Sequence, residues 1–284
     1  MCTINDTERK DTKMEAGMVA AVVVLTLNDG RTEEVVLEQS DFVDHCLFSG
    51  RHNIVAAIIP DGVTTIGSFA FWGCTSLAAL TIPEGVTRIS AYAFSGCTSL
   101  ASVNIPEGVT TIGAYAFSGC TSLASATIPE GVTRIGVSTF SECSSLASVT
   151  IPSSVRTIAS YAFRMCRLLQ QVEIMNPLAQ IYSTSFSDCN LIDRVNIHDN
   201  TTIIFSEDER KKLRDLYQGR AAWEHVFPSC PASNIKWPTS IREEYEAGFV
   251  DRATTITTLA SLLSQPVPME VVAKITGLRR EDYD

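Results

Sequence analysis

Six of the nine cysteines in this 284-residue chain stand 23 residues apart: Cys74, Cys97, Cys120, Cys143, Cys166 and Cys189. Thiols in a regular series could bind zinc, form disulfides or act as nucleophiles, and geometry chooses among these. In a stack of parallel strands equivalent residues lie about 4.8 Å apart in line, with parallel Cβ vectors. Zinc needs four ligands converging on a tetrahedron, which a file of side chains does not offer. A disulfide needs Cβ atoms about 3.5–4.5 Å apart, so bridging neighbouring positions would strain the stack. The column therefore reads as buried thiols packed as small apolar residues. Cys2, Cys46 and Cys230 stand apart from it. Many unpaired thiols suit a reducing compartment, so the chain is expected to be intracellular rather than secreted.

A second column is acidic: Asp61, Glu84, Glu107 and Glu130. Carboxylates one step apart repel by about 1 kcal/mol in water, which solvation makes tolerable. A hard cation between them would need further oxygen ligands that this column does not supply. It reads as a solvated edge, with Arg88 and Arg134 four positions on as local compensation. The four histidines, His45, His52, His198 and His225, lie outside the regular copies and share no catalytic spacing. The sequence contains no G-x-S-x-G, H-E-x-x-H, G-x-x-x-x-G-K-[ST] or G-x-G-x-x-G, the motifs of common hydrolase, zinc and nucleotide sites. These residues predict a non-catalytic protein that needs neither metal nor cofactor.

The elements that position these columns follow from the period. Ile82, Ile105 and Ile128 open three consecutive copies, IPEGVTRISAYAFSGCTSLASVN, IPEGVTTIGAYAFSGCTSLASAT and IPEGVTRIGVSTFSECSSLASVT. Phenylalanine recurs at Phe71, Phe94, Phe117, Phe140, Phe163 and Phe186, and leucine at Leu77, Leu100, Leu123 and Leu146, then at Leu168 or Leu169. A fixed period in this range marks a solenoid, whose units are too small to bury their own apolar faces and build a core by stacking. Val103 and Ile105 alternate with Ser102 and Asn104, as in a short strand with one face buried. Pro106 ends that strand, and Gly108 suits a tight turn. The half containing Ala116, Phe117 and Cys120 returns the chain on the convex side as a turn or a short helix.

Residues 59–197 resemble the BspA-type leucine-rich repeats, whose unit is I-P-x-x-V-x-x-I-x-x-x-A-F-x-x-C-x-x-L. The resemblance implies an α/β solenoid with parallel strands and 23-residue repeats. It also implies a non-catalytic role in adhesion or protein–protein interaction. The copies after Leu169 depart from the pattern, since Met175 takes the proline position and Asn176-Pro177 replaces Ser153-Ser154.

Binding on such a solenoid is expected on the concave strand face. Its outward positions are Ala79, Ser102, Ser125, Ser148 and Gln171, beside Thr81, Asn104, Thr127, Thr150 and Glu173. These are small and neutral for the most part, and the Trp, Tyr and Arg typical of hot spots are missing. Near-identical copies offer the same chemistry at each step, which favours weak or avidity-driven binding. Phe69, Tyr92, Tyr115 and Tyr161 form a further column, read as half-buried packing rather than a stacking platform for a ligand. Trp72 replaces the serine of Ser95, Ser118 and Ser141 and is expected to cover the first repeat beneath an N-terminal cap.

Beyond the repeats, residues 1–17 read as a disordered tail and 18–58 as a cap containing a decayed repeat, followed by repeats over 59–205 and a helical region over 206–284. In the cap, Val22 to Leu27 and Thr32 to Leu37 flank Asn28-Asp29-Gly30 and read as a β-hairpin rather than a secretory signal. In the C-terminal region, Ser206 and Glu209 suggest a capping box. Pro266 to Leu278 somewhat resembles the opening helix of an F-box, which would imply an adaptor recruiting a ubiquitin-ligase subunit. An amphipathic partner helix with Met269, Val272 and Ile275 on one stripe accounts for the same letters. The net charge of −10 disfavours nucleic acid, whose phosphates need a basic surface. The longest apolar run, Ala16 to Leu27, is shorter than the roughly 20 residues that span a bilayer. The partner expected is another protein.

Overall fold

The computed structural model describes residues 21–39, 41–196, 201–204 and 235–236. Strand β1 (Val22–Leu27) buries Val23, Leu25 and Leu27 on one side and pairs antiparallel with β2 (Thr32–Val36). The reversal is tight because Gly30 takes φ 83° and its N–H donates to the Leu27 carbonyl at 2.9 Å. The Asp29 carboxylate accepts from the Arg31 amide at 3.0 Å and from its Nε at 2.7 Å. Strand β1 also pairs antiparallel with β4 (Ile54–Ile58). The hairpin thus seals the edge that the first repeat would otherwise leave open. The Arg51 guanidinium forks onto the Glu33 carboxylate at 3.0 and 2.6 Å, tying hairpin to stack.

From there each 23-residue turn of chain, or rung, carries two short strands. The first row consists of β4, β6 (Ala79–Thr81), β8 (Ser102–Val103), β10 (Ser125–Ala126), β12 (Ser148–Ile151), β14 (Gln171–Ile174), β16 (Arg194–Asn196) and β18 (Ile235–Lys236). The second consists of β3 (Phe42–Val43), β5 (Thr65–Ile66), β7 (Arg88–Ile89), β9 (Thr111–Ile112), β11 (Arg134–Ile135), β13 (Thr157–Ile158), β15 (Gln180–Tyr182) and β17 (Thr202–Ile204). Pairing is parallel and in sequence order, with Val149 opposite Val172 and Ile66 opposite Ile89; the first row divides into separate sheets between β6 and β8 and between β10 and β12, and the second between β9 and β11. The second row is a departure from the single strand per repeat that the sequence suggested. Its two-residue strands alternate only once, too little for a period-2 signal to stand out.

The Phe and Cys half of each rung is turns. Among the described residues there is no helix, so the α/β class narrows to parallel strands and turns there. The turns are also hydrogen-bonded from rung to rung. The amides of Phe71, Phe94, Phe140 and Phe163 each donate at 2.8 Å to the carbonyl of the next rung, at Ala93, Ala116, Ala162 and Ser185. Buried main-chain groups thereby find partners without a helix.

The interior is a set of straight columns. Phe48, Phe71, Phe94, Phe117, Phe140, Phe163 and Phe186 are buried, and successive rings from Phe71 onward lie 5.2–5.4 Å apart, within 15° of parallel. Burying each ring contributes roughly 2–3 kcal/mol, and each ring–ring contact adds about 0.5–1.5 kcal/mol. Phe48 extends the ladder into the decayed repeat. Leu169, rather than Leu168, continues the leucine column: it is buried, whereas Leu168 is 49% exposed. Where Asn176 and Pro177 interrupt the pattern, the buried Asn176 side chain bridges the gap. Its Nδ2 donates to the Val155 carbonyl at 2.9 Å, and its Oδ1 accepts from the Leu178 amide at 2.8 Å. Leu178 turns outward, and Ala179 fills the buried valine position.

The expectations for residues 1–17 and for the helical C-terminal region, including the capping box, the F-box-like stretch and the Met269, Val272 and Ile275 stripe, lie outside the described residues. Within that C-terminal stretch Ile235–Lys236 is strand, paired with β16.

Candidate interaction face

The first strand row presents two outward columns in register. One runs Ala56, Ala79, Ser102, Ser125, Ser148, Gln171 and Arg194; the other runs Ile58, Thr81, Asn104, Thr127, Thr150, Glu173 and Asn196. Ala79, Thr81, Ser102, Asn104, Ser125, Thr127, Ser148, Thr150 and Gln171 are exposed, and Glu173 is half-buried. Strand pairing aligns Ser102 with Ser125, Ser148 with Gln171 and Thr150 with Glu173. The ten sequence-predicted positions therefore share one surface. The sequence reading missed that this surface is graded. It starts at the exposed Ile58 and ends on Gln171, Arg194 and a hydrogen bond from Asn196 Nδ2 to Glu173 Oε1 at 3.2 Å. Substitution within a column carried that signal at both ends of the repeats.

The second row carries the acidic column on the turn before it. Asp61, Glu84, Glu107 and Glu130 are exposed, as are Arg88 and Arg134. No ion pair forms between the two sets, contrary to the local compensation expected. Exposure to solvent makes the carboxylate spacing tolerable, consistent with the small worth of exposed pairs. Glu130 instead accepts from the Ser153 hydroxyl at 3.1 Å and the Ser154 amide at 3.3 Å. On the strands' flank, Thr87 Oγ1 donates to the Thr64 carbonyl and Thr110 Oγ1 to that of Thr87.

The thiols do more than fill space. Cys74, Cys97, Cys120, Cys143, Cys166 and Cys189 are buried and free. Each Sγ donates to a phenylalanine carbonyl 26 residues earlier, at 2.9–3.3 Å, from Cys74 on Phe48 to Cys189 on Phe163. From Phe71 onward the same carbonyls accept their own turn's cysteine amide, as in Cys97 on Phe94 at 3.2 Å, while that of Phe48 accepts the Arg51 amide at 3.1 Å. Burial pushes the Cys74 and Cys120 thiols up to about 12 and those of Cys97, Cys143 and Cys166 well above the ordinary range. Thiols held neutral and dry are poor nucleophiles. Their burial also accounts for their being free, so the thiol content does not bear on the compartment. Cys46, which the sequence reading set aside as isolated, is disulfide-bonded, and not to any of these six.

Phe69, Tyr92 and Tyr115 stack at 4.7 and 4.6 Å, within 5° of parallel. The rings cover each other's faces, which fits the packing role. Trp72 does not cover the first rung: it is 46% exposed, its side chain lying outside a turn whose main chain already meets the preceding repeat, with the Phe48 amide donating to the Ala70 carbonyl at 2.8 Å and the Gly50 amide to that of Trp72 at 2.6 Å. His45 Nδ1 accepts from the Ser68 amide at 2.7 Å, and His52 Nδ1 lies 3.0 Å from Thr75 Oγ1. Both are used in joining rungs; His198 and His225 lie outside the described residues. Leu168, Met175, Leu178 and Leu191 are exposed in the last rungs. Among the described residues no three His, Cys, Asp or Glu side chains converge as a metal would require. Among them also, no helix is long and apolar enough to cross a membrane.

A model of the BspA-type leucine-rich repeat region matches residues 41–167 and 87–208, in six copies. The matched region ends well before the F-box-like stretch at 266–278. No curated protein sequence matches the chain. Among solved structures, a leucine-rich repeat protein from Eubacterium ventriosum is 23% identical with a TM-score of 0.54, covering 64% of this chain and 48% of its own. That likeness is one of fold, and this chain spans about half the length of that protein. The leucine-rich repeat protein of T. pallidum is 30% identical with a TM-score of 0.49, covering 58% of this chain and 85% of its own. A third, from Bacteroides ovatus, is 21% identical with a TM-score of 0.44, covering 68% and 71%.

Proposed function

Because the chain belongs to the BspA-type leucine-rich repeat family, we propose that it is a non-catalytic protein-interaction scaffold that meets its partner on the first strand row. The observation that carries this reading is the division of labour within each rung. Apolar, thiol and aromatic side chains are spent on the interior, while the ten face positions from Ala79 to Glu173 point outward in register. That surface has no group poised for chemistry and a repeating pattern of small hydroxyls, which suits an extended partner gripped at several rungs. The graded ends supply what the uniform middle lacks: an apolar contact at Ile58 and polar ones at Gln171 and Arg194.

The test is capture on the full chain beside a triple variant, Ser102→Arg, Ser125→Arg and Ser148→Arg, and a control, Thr110→Arg, on the other row. The reading expects a protein retained by the parent chain and the control but lost from the triple variant, with the same order when purified components are titrated. Equal retention by all three would remove the strand face from the account.

One observation favours a second reading, a secreted or cell-surface adhesin. Cys46 is disulfide-bonded, and disulfides persist in oxidising compartments. Alkylation of denatured protein taken directly from its native compartment separates the two: Cys46 is blocked in an exported adhesin and labelled in an intracellular scaffold.

A further inference from the structure

The aromatic column has a missing member. Tyr92, Tyr115, Ser138 and Tyr161 occupy equivalent positions of successive rungs and share one backbone conformation, with φ of 59°, 59°, 53° and 60°. Where the column is intact its rings repeat every 4.6–4.7 Å. With serine at 138, Tyr115 and Tyr161 are two steps apart, about 9.3 Å on that repeat. A ring midway between them would lie about 4.6 Å from each, within the range in which aromatic rings attract. Ser138 is 5% exposed, and its hydroxyl has no hydrogen-bond partner among the described residues. Tyr161 is 41% exposed, more than the half-buried Tyr92 and Tyr115: Tyr115 keeps a ring on one side, whereas Tyr161 stands between Ser138 and Thr184.

We propose that the gap between Tyr115 and Tyr161, floored by Ser138, is a binding slot for one tyrosine side chain of a partner protein. The width selects a single planar ring. The unpartnered Ser138 hydroxyl selects a phenol over a benzene ring, because an entering side chain points its tip at the floor. The surface beside Tyr161, on the side of the following rung, favours a peptide over a free phenol. Arg164 lies with its guanidinium carbon 5.9 Å from the Tyr161 ring centroid and is steadied by Asp188 at 3.3 Å. Its remaining N–H groups can donate to main-chain carbonyls, which a free phenol lacks. The slot rests on the ladder's geometry and not on the strand-face reading, so either can fail alone.

The experiment uses saturation-transfer NMR on the full chain with Gly-Tyr-Gly, Gly-Phe-Gly, Gly-Leu-Gly and p-cresol as probes. The tyrosine ring protons gain saturation with the parent protein, those of phenylalanine less, and the leucine methyls none. Ser138→Gly, which keeps the gap and removes the hydroxyl, retains the signal but loses the preference for tyrosine. Ser138→Tyr completes the column, abolishes the signal and raises Tm by about 2–4 °C. Tyr161→Ala removes a wall and abolishes the signal without filling the gap. A Tyr signal undiminished in Ser138→Tyr or in Tyr161→Ala overturns the proposal, as does a lowered Tm in Ser138→Tyr. Equal saturation of leucine, or binding of p-cresol without Gly-Tyr-Gly, overturns it too.

Discussion

The rungs before and after residue 130 solve the same geometric problem with different residues. One position per rung must take positive φ on the way out of the Phe turn. Up to Gly119 it is glycine, at Gly73, Gly96 and Gly119 with φ of 68°, 76° and 74°; afterwards it is Glu142, Met165 and Asp188, at 63°, 59° and 62°. The left-handed region costs an L-residue roughly 1–2 kcal/mol, and the later rungs adopt it nonetheless. They also break the proline turn at Met175, expose Leu168, Leu178 and Leu191, and bond through the buried Asn176. Meanwhile the Phe and Cys columns run through both regions unchanged, and the Leu column changes only at its end, to the buried Ile192. The shared interior sets the conformation, and the turn residues accommodate it.

That contrast can be broken most forcefully from inside. Phe117→Ala should cost about 3–5 kcal/mol, and Phe163→Ala a similar amount, measured by denaturant unfolding. A far smaller loss at Phe163 would mean that the later rungs are held by something other than the ladder. Alkali tests the thiol column. A thiol whose pKa is raised by folding binds its proton more tightly in the native state, so its contribution is intact below the unfolded value of about 8.5 and is lost as pH rises toward 12. Each of the five shifted thiols removes up to about 1.4 kcal/mol per pH unit in that window. Stability should be level from pH 7 to 8 and fall steeply above about 9, with Cys97→Ala plus Cys143→Ala flattening the slope.

Close approach of the backbones gives a third comparison. A Cβ at Gly113 would lie 2.5 Å from the Ala91 nitrogen and 2.6 Å from the Ser90 carbonyl carbon, whereas the equivalent Ala159 is accommodated and buried. Gly113→Ala should cost about 1–3 kcal/mol and Ala159→Gly about 1 kcal/mol or less. The smallest effects carry opposite signs. Gly96→Ala should destabilise by about 1 kcal/mol, and Met165→Gly should stabilise by a few tenths to about 1 kcal/mol, strain relief being partly offset by the entropy of glycine. Thermal scans on the four single variants read both pairs.

The same contrast explains what was legible beforehand. Columns that repeat one residue type, Phe71 to Phe186 or Cys74 to Cys189, declared both the period and the interior, since only packing demands such uniformity at every step. The hairpin around Asn28-Asp29-Gly30 was legible from its turn chemistry. The second strand row was not, because Thr111–Ile112 is too short to show alternation. Nor was the outward turn of Trp72 or Leu178, which depends on what the neighbouring rung covers. The ten face positions could be placed by alternation alone, while the slot at Ser138 could not. A single serine among tyrosines is unremarkable until the rings around it are seen to be stacked.

Native-state hydrogen exchange on the amides of Phe71, Phe94, Phe117, Phe140 and Phe163 tests the central claim most directly. If interior columns lock every rung to the next through both regions, these turn amides exchange as slowly as the buried strand amides Val149 and Val172. Exchange of Phe140 and Phe163 at the rate of open loops, with the strands still protected, would contradict it.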